Sequence, residues 1–294
     1  MSCLFLDPDR NLPNQGFDLE RQYQMVPAGG TRRMGFAMLP DEPEDVIIYC
    51  DNPNKAFLWG LYALTGKAVP QGSGYLIARN SAVRFYITGR DLGPAAIRVE
   101  SVSGKMRGFL LISVKPLVGP LTYQLHILSD MKHVPDKAKA AAEMITTMQA
   151  VEPIFLKQAN IQLKRVGPIK DVIVPTNLGD KLGDKLVIDK PETIKAIYEA
   201  SQSISPSIAH INIFYTWNLV YTKKRDVGGS TIGNYCFIEN VPPGNWTTYA
   251  YAHEIGHARG LGHSDEAYDI MFGSPNNVYP KAFSEFEIEA LNPY

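Results

Sequence analysis

Two histidines and a glutamate stand at a spacing that suits metal chemistry. His253 and His257 are four residues apart, and Glu254 lies between them. On an α-helix, residues four apart share one face, so both imidazoles can reach a single ion while the carboxylate stays beside them. The spacing therefore predicts a helix that presents two metal ligands and one acidic group.

A third histidine follows in the spacing His-x-x-Gly-x-x-His. His263 lies six residues beyond His257, and a straight helix would carry it away from the shared face. Gly260 permits the necessary bend, because glycine reaches positive φ without a Cβ clash. Three protein ligands leave one tetrahedral position open, which is typical of a catalytic zinc and not of a structural one.

The open position would hold a water whose pKa zinc lowers toward about 7. Glu254 can take the proton of that water as it attacks a carbonyl, and can return it to the leaving amine. The alternative is an ordinary helix whose histidines are satisfied by hydrogen bonds. With 6 His and 24 Gly, random order gives the five-residue pattern in about one in 10⁵ chains of this composition. The sequence therefore favours one catalytic Zn²⁺ ion, with Glu254 as the catalytic base.

The segment resembles the metzincin zinc peptidases, and in particular the matrixins. The zinc motif is followed by Ser264 and then by Ile270-Met271-Phe272, at the distance of the family's Met-turn. The resemblance implies that Met271 forms an apolar floor beneath the zinc without binding it; a core methionine is the alternative. It also implies a zinc endopeptidase that hydrolyses internal bonds of a protein or peptide substrate.

A second segment, GGSTIGNYCFIEN at 228–240, is similar to the antiparallel edge strand of the same family and its partner strand. In that family an extended substrate lies against this edge, and an ordinary hairpin is the alternative interpretation. The resemblance implies substrate contacts from Gly229, Ser230, Thr231, Ile232, Gly233 and Asn234.

The rest of the sequence indicates the elements that would position this site. Between about 25 and 116, short apolar or alternating runs separated by Gly, Pro, Asn and Asp predict strands and turns. The stretch FYITGRDLGPAAIRVESVSG resembles the later strands of bacterial immunoglobulin-like domains. Beyond Val114, Pro116 and Pro120 mark a change to strands mixed with helices, including a long helix predicted over 135–160.

These patterns, together with the resemblance, predict an α+β protein. A metzincin-type catalytic domain, with a twisted mixed sheet and long helices, is preceded by an all-β immunoglobulin-like sandwich. The predicted divisions are an N-terminal extension at 1–24, the sandwich at 25–118 and the zinc peptidase domain at 119–294.

The composition excludes several classes of partner. The formal net charge is -1, with 29 basic and 30 acidic side chains spread along the chain, so no nucleic-acid surface is predicted. No apolar run approaches the roughly 20 residues of a membrane helix, so no membrane span is predicted. The first fourteen residues lack the features of a secretory signal, which leaves the cytoplasm or export by a non-classical route.

Two alternatives to a peptidase stay open at this point. One is a non-catalytic docking or structural component of a secreted or phage-like assembly, which retains the metzincin fold and binds a protein partner through its N-terminal domain. The other is a zinc amidase acting on cell-wall peptides, which uses the same chemistry on another substrate. Metal content and peptide turnover distinguish the first alternative from an enzyme.

Overall fold

A computed structural model of the protein describes most of the chain. The described residues are 3–7, 12–13, 22–38, 46–63, 83–101, 107–179, 185–204, 209–222, 226–239, 244–266, 269–273 and 282–293. This part of the chain is a mixed α/β structure, rich in sheet, with four helices. Within it, no helix is both long and apolar enough to cross a membrane.

The first part of the chain forms two sheets. Their strands are β1 (Cys3–Asp7), β2 (Leu12–Pro13), β3 (Gln22–Pro27), β4 (Thr31–Met38), β5 (Val46–Cys50), β6 (Ala56–Ala63), β7 (Val83–Gly89), β8 (Gly93–Ser101) and β9 (Arg107–Lys115). One sheet has the order β2-β1-β4-β7-β6 and is antiparallel throughout. The other has the order β3-β9-β8-β5, in which β3 runs parallel to β9.

Both sheets bury apolar side chains in one shared core. Met34 on β4 and Phe85 and Ile87 on β7 belong to it together with Ile97 on β8 and Ile112 on β9. Phe85 and Ile87 are buried because alternate residues of a strand face the same side of its sheet. Three of the strands predicted between about 25 and 116 are thereby confirmed as β7, β8 and β9.

The segment 1–24, which the sequence assigns to an extension, contains β1, β2 and the start of β3. These strands pair with β4 and β9 and so belong to the same two sheets. The immunoglobulin-like classification and the domain boundaries stay predictions.

The second part of the chain adds nine strands and four helices. The strands are β10 (Val118–Ser129), β11 (Ile161–Arg165), β12 (Lys170–Ile173), β13 (Leu186–Val187), β14 (Ile211–Thr216), β15 (Leu219–Val220), β16 (Asp226–Val227), β17 (Gly229–Ile232) and β18 (Tyr235–Glu239). The helices are α1 (Lys137–Ala159), α2 (Pro191–Ile204), α3 (Asn245–Ala258) and α4 (Glu285–Leu291). The long helix predicted over 135–160 is confirmed as α1, and its N-cap is the Asp136 side chain, which accepts from the Lys139 N–H at 3.0 Å.

The main sheet of this part has the order β11-β10-β14-β18-β17, and β12 also pairs with β10. All of its pairs are parallel except the last, because a tight turn returns β17 antiparallel into β18. Ile213 and Phe214 are consecutive on β14 and therefore face opposite sides of the sheet. Ile213 shares a core with Met144 of α1 and Ile255 of α3, whereas Phe214 shares one with Ile197 of α2. Helices α1 and α3 thus cover one face, and α2 covers the other.

Buried contacts join the two parts of the chain. Lys115, the last residue of β9, is 1% exposed, and its Nζ contacts a carboxylate oxygen of Glu289 on α4. The Tyr23 hydroxyl on β3 donates to the other oxygen of Glu289 at 3.0 Å. Tyr23 and Met25 also lie in the core that includes α1, α3 and α4. Helix α4 is therefore attached to the N-terminal sheets as well as to the second part of the chain.

Candidate metal centre

The three histidines of the motif lie together at the end of α3 and in the loop after it. Ring centroids are 4.5 Å apart for His253 and His257, 4.7 Å for His257 and His263, and 5.3 Å for His253 and His263. One ligand nitrogen of each lies within 4.8 Å of the other two. The structure therefore brings all three predicted ligands close enough for one ion to contact them after small side-chain adjustments.

Gly260 provides the bend that the sequence predicts. Its φ is +90°, in the region that favours glycine, and a Cβ built there would meet nothing within 4 Å. The backbone conformation, and not a lack of space, therefore requires glycine at this position. The Leu261 N–H then donates back to the Gly256 carbonyl at 3.0 Å, which ends the helix and turns the chain toward His263.

Backbone carbonyls orient two of the imidazoles. The Nδ1 atom of His253 lies 2.8 Å from the Ile270 carbonyl oxygen, and the Nδ1 atom of His257 lies 2.8 Å from that of Leu261. Because a carbonyl only accepts, both Nδ1 atoms must carry the proton, and each neutral ring keeps its lone pair on Nε2. Burial lowers the pKa of His257 against the opposite effect of the Leu261 hydrogen bond, and His263 adds a smaller lowering, so the neutral form is favoured.

The two Nε2 atoms, of His253 and His257, point at each other across 3.0 Å. Two lone pairs at that distance cannot form a hydrogen bond with each other, whereas a cation between them would satisfy both. Neutral imidazoles held by Nδ1–H···O=C bonds are the arrangement that metal-binding histidines use. The donor set therefore fits zinc.

Glu254 is buried beside these ligands. Glu254 is 5% exposed, and the Thr231 hydroxyl on β17 donates to its Oε2 atom at 2.6 Å. Burial raises the pKa of this carboxyl to about 7, and the Thr231 hydrogen bond acts in the opposite direction. The positive charge of a bound ion would also lower that pKa. Within the described residues the clustered ligand atoms come from the three histidines alone, so Glu254 lies outside the candidate ligand set.

The hydroxyl of Thr231 gives a test of this environment. Replacing Thr231 by valine keeps a β-branched residue in β17 but removes the donor to Glu254. Because the hydrogen bond favours the ionised carboxylate, its loss raises the pKa of Glu254 and lowers the ionised fraction in acid. We expect the acid limb of the kcat/KM profile to shift to higher pH, with little change on its alkaline side. Thr231→Ser retains the donor, so coincident acid limbs for the two variants would contradict the assignment.

The predicted edge segment occupies the last strand of the main sheet. Gly229, Ser230, Thr231 and Ile232 form β17, while Gly233 and Asn234 form the two-residue turn into β18. In such a hairpin the residues flanking the loop are a hydrogen-bonded pair and the next pair is not. Thr231, the second residue back from the turn, therefore directs its N–H and C=O away from β18, toward the open edge.

Gly229 lies against the carboxylate of Glu254. A Cβ built on Gly229 would stand 2.5 Å from Oε1 and 2.8 Å from Cγ of Glu254, closer than real contacts allow. The carboxylate can occupy its place only because residue 229 has no side chain. The need for glycine at position 229 arises from a contact between distant segments, so no local sequence pattern predicts it.

Gly229→Ala is expected to displace Glu254 without removing a metal ligand. A shift of about 1 Å in a catalytic group can cost on the order of 10²-fold in rate, so we expect kcat/KM to fall roughly 10- to 100-fold. Zinc content should stay at the wild-type value. Gly262→Ala is the matched control, because a Cβ there meets nothing within 4 Å. Equal activities of the two variants would contradict the close approach.

Met271, the residue of the predicted Met-turn, packs against helix α3. It is fully buried, and its Sδ atom would stand 2.5 Å from a Cβ built on Gly256 of α3. The Ser264 N–H donates to the Met271 carbonyl at 2.8 Å, directly after the third histidine. The turn therefore packs against the helix that carries two of the histidines and pairs with the loop that carries the third. Sequence reasoning missed the role of Gly256, since nothing local distinguishes it from other helical glycines.

The other histidines lie outside this cluster and are buried in hydrogen bonds or exposed. His126 is buried on β10 with its Nε2 atom 3.0 Å from Asn212 Oδ1, and burial lowers its pKa to about 4. His133 contacts the buried Asp130 carboxylate at 3.0 Å. His210 is exposed beside Thr122.

Comparisons with known proteins find only distant similarity to this chain. No family model matches the sequence, and no curated protein matches it. Among solved structures, the chain is similar to metalloproteinase-II from Bacteroides fragilis, at 12% identity over 92% of this chain and 84% of that one, with a TM-score of 0.40. Domains 4 and 5 of the S-layer protein SbsC align with 31% of this chain at 15% identity, with a TM-score of 0.23. The alignment spans only 45% of that SbsC chain.

Proposed function

We propose that the protein is a zinc-dependent endopeptidase that holds one catalytic zinc through His253, His257 and His263. The observation that carries the proposal is the convergence of two unprotonated Nε2 atoms 3.0 Å apart, each fixed by an Nδ1 bond to a backbone carbonyl. When bound, zinc would activate a water and polarise the carbonyl of the scissile bond. Three ligands on a bent helix end leave room for that chemistry.

The remaining steps belong to the side chains around the ion. Glu254 takes a proton from the attacking water and gives it to the leaving amine. Its buried position supports this role, because burial keeps its pKa close to neutrality and the Thr231 hydroxyl fixes one oxygen. Gly229 leaves the other oxygen free of a neighbouring side chain. Met271 supports the ligand helix from below through Gly256.

The proposed substrate is a polypeptide in extended conformation. Strand β17 ends the described order of the main sheet, and an extended chain can pair with such an edge by β-augmentation. The outward-facing backbone groups of Thr231 would bind the substrate, while its side chain holds Glu254. One residue would then couple substrate binding to the position of the base. A protein partner bound through the N-terminal sheets is a further proposal for the whole chain.

Zinc content tests the metal site. The full chain, reconstituted with zinc and freed of excess, is expected to hold about one equivalent by elemental analysis. His257→Gln should abolish that equivalent, whereas His210→Gln, at a histidine outside the cluster, should retain it. A wild-type value under about a third of an equivalent in the folded protein would refute the assignment.

Products of digestion test the reaction. A mixed peptide library incubated with the zinc-loaded chain and read by mass spectrometry should show cuts at internal bonds. Zinc without peptide cleavage would favour the docking component. Cleavage of cell-wall peptides alone would favour the amidase.

A further inference from the structure

Two buried carboxyl groups meet between the Met-turn and the last helix. Asp269 is 1% exposed and Glu287 of α4 is 4% exposed. The backbone of Asp269 pairs with Ala282, just before α4, and the Asp269 side chain acts directly on the pKa of Glu287. Two ionised carboxylates in contact at a dry site repel each other strongly, so such a pair retains one proton between them. The pair lies outside the groups that the proposed reaction uses.

The surrounding hydrogen bonds locate that proton. Asp269 accepts from the Met271 N–H through Oδ1 at 2.9 Å, while its Oδ2 atom is buried and accepts no hydrogen bond from the residues that the structure describes. Glu287 accepts from the Ser284 N–H through Oε2 at 2.9 Å, as the third helical residue of a capping box. Its second oxygen remains for Asp269. A proton on that oxygen supplies the donor that Oδ2 lacks.

The groups that act on Glu287 agree with this placement. Burial, then the hydrogen bond and the charge of Asp269, raise the pKa of Glu287 to about 9. The Ser284 cap of its own helix lowers that pKa by a smaller amount. Glu287 therefore keeps its proton at neutral pH and can donate it to Asp269.

The turn that Asp269 fixes also orients the ligands. Asp269 accepts from the N–H of Met271, and the intervening Ile270 carbonyl accepts from Nδ1 of His253 at 2.8 Å. The Met271 carbonyl accepts from the N–H of Ser264, next to the third histidine. Helix α4 is thus linked to His253 and to the loop of His263 through the Asp269 carboxylate and the turn that follows Asp269.

We propose that Glu287 is a positioning residue of the metal centre: its carboxyl proton anchors Asp269, which holds the Met-turn in the conformation that orients His253 and the loop of His263. The inference rests on the proposed zinc site. It adds a residue that touches neither metal nor substrate and that lies on a different helix from the motif.

Two substitutions at position 287 separate the proton donor from side-chain volume. Glu287→Gln keeps one oxygen for Ser284 and supplies an amide donor to Asp269 without a titrating group. Glu287→Met fills a similar volume but offers no donor, and leaves Oδ2 unsatisfied. Zinc affinity of the full chain, measured by competition with a chromophoric chelator, should stay within about threefold for glutamine. It should weaken about 10- to 100-fold for methionine, as for other outer partners of metal ligands. Equal affinities of the two variants would overturn the positioning role.

A second measurement needs no metal. Unfolded Glu287 loses its proton near pH 4.5, whereas the folded group keeps it to about 9, so wild-type stability falls with rising pH across that interval. Glutamine does not titrate, so the variant has no such loss of stability. The difference in melting temperature between metal-free Glu287→Gln and metal-free wild type should therefore grow in favour of the variant from pH 5 to pH 8. A constant difference would overturn the shared proton.

Zinc affinity and the pH dependence of the melting temperature together show whether this inference or the proposed metal site is wrong. If the wild-type chain binds no zinc, the proposed function and the positioning role are both wrong. A pH-dependent gain in the melting temperature of Glu287→Gln over wild type would in that case still support the shared proton. Should Glu287→Met fail to fold, Glu287→Leu replaces it as the variant without a donor, and Asp269→Asn tests the shared proton separately. Its oxygen still accepts from Met271 and its amide can donate to Glu287, so zinc affinity should persist while the pH-dependent loss shrinks. An unchanged pH dependence in that variant would contradict the shared proton.

Discussion

Glu254→Gln is expected to bind zinc as the wild type does and to cleave peptides about 10²- to 10⁴-fold more slowly. The amide keeps the size of the side chain and an oxygen that can accept from Thr231, but it cannot take a proton from water. The comparison requires kcat/KM on one fluorogenic peptide together with zinc content for both proteins. Because folding and metal are retained, the rate difference reports the proton transfer itself.

Glu266→Gln provides the matched control for this loss. Glu266 is exposed in the loop that follows the third histidine, so the same chemical change there should leave kcat/KM near the wild-type value. Full turnover by Glu254→Gln would refute the role of the carboxylate as base. Loss of zinc from that variant would assign Glu254 a metal-binding role instead.

The contact between the N-terminal sheets and α4 predicts a large and asymmetric effect on stability. The Lys115 side chain is 2% exposed and that of Glu289 is 43% exposed. Glu289→Ala leaves a buried ammonium without its carboxylate and should cost roughly 2 to 4 kcal/mol, below the range for a pair buried on both sides. Lys115→Met removes the buried charge and leaves Glu289 in contact with water, so its cost should stay under about 1 kcal/mol.

Urea unfolding of the full chain measures both free energies. Both variants lose the ion pair, and Glu289→Ala also loses the Tyr23 hydrogen bond, so an account by these contacts alone predicts losses that differ by only about 1 kcal/mol. The desolvated position of Lys115 predicts a larger difference. A difference no larger than that of the contacts alone would show that the ammonium reaches water in solution.

The sequence predicts the cluster of three histidines because its determinants are local. His253, Glu254 and His257 depend on the period of one helix, and Gly260 acts on the next few residues. The period of α1 and the apolar run of β14 are likewise properties of single segments. Such elements are predictable before any tertiary contact is known.

The rest of the site depends on contacts between distant segments. The hydroxyl of Thr231 and the missing side chain of Gly229 matter only because β17 lies against α3. Glu287 and Lys115 carry charge, and sequence patterns assign charged residues to the surface. The two-residue strands β13, β15 and β16 have no periodicity to detect.

The contact between β3 and α4 has a consequence for synthesis of the chain. Tyr23 and Glu289 touch although 266 residues separate them. A ribosome that adds about 5 to 20 residues per second needs roughly 13 to 53 s to make the intervening chain. During that interval α4 has not yet been made, so Tyr23 and Met25 of β3 remain exposed to water or to a chaperone. Since α4 packs near Asp269 and the turn that follows it, the candidate metal centre is complete only after the other described elements have been made.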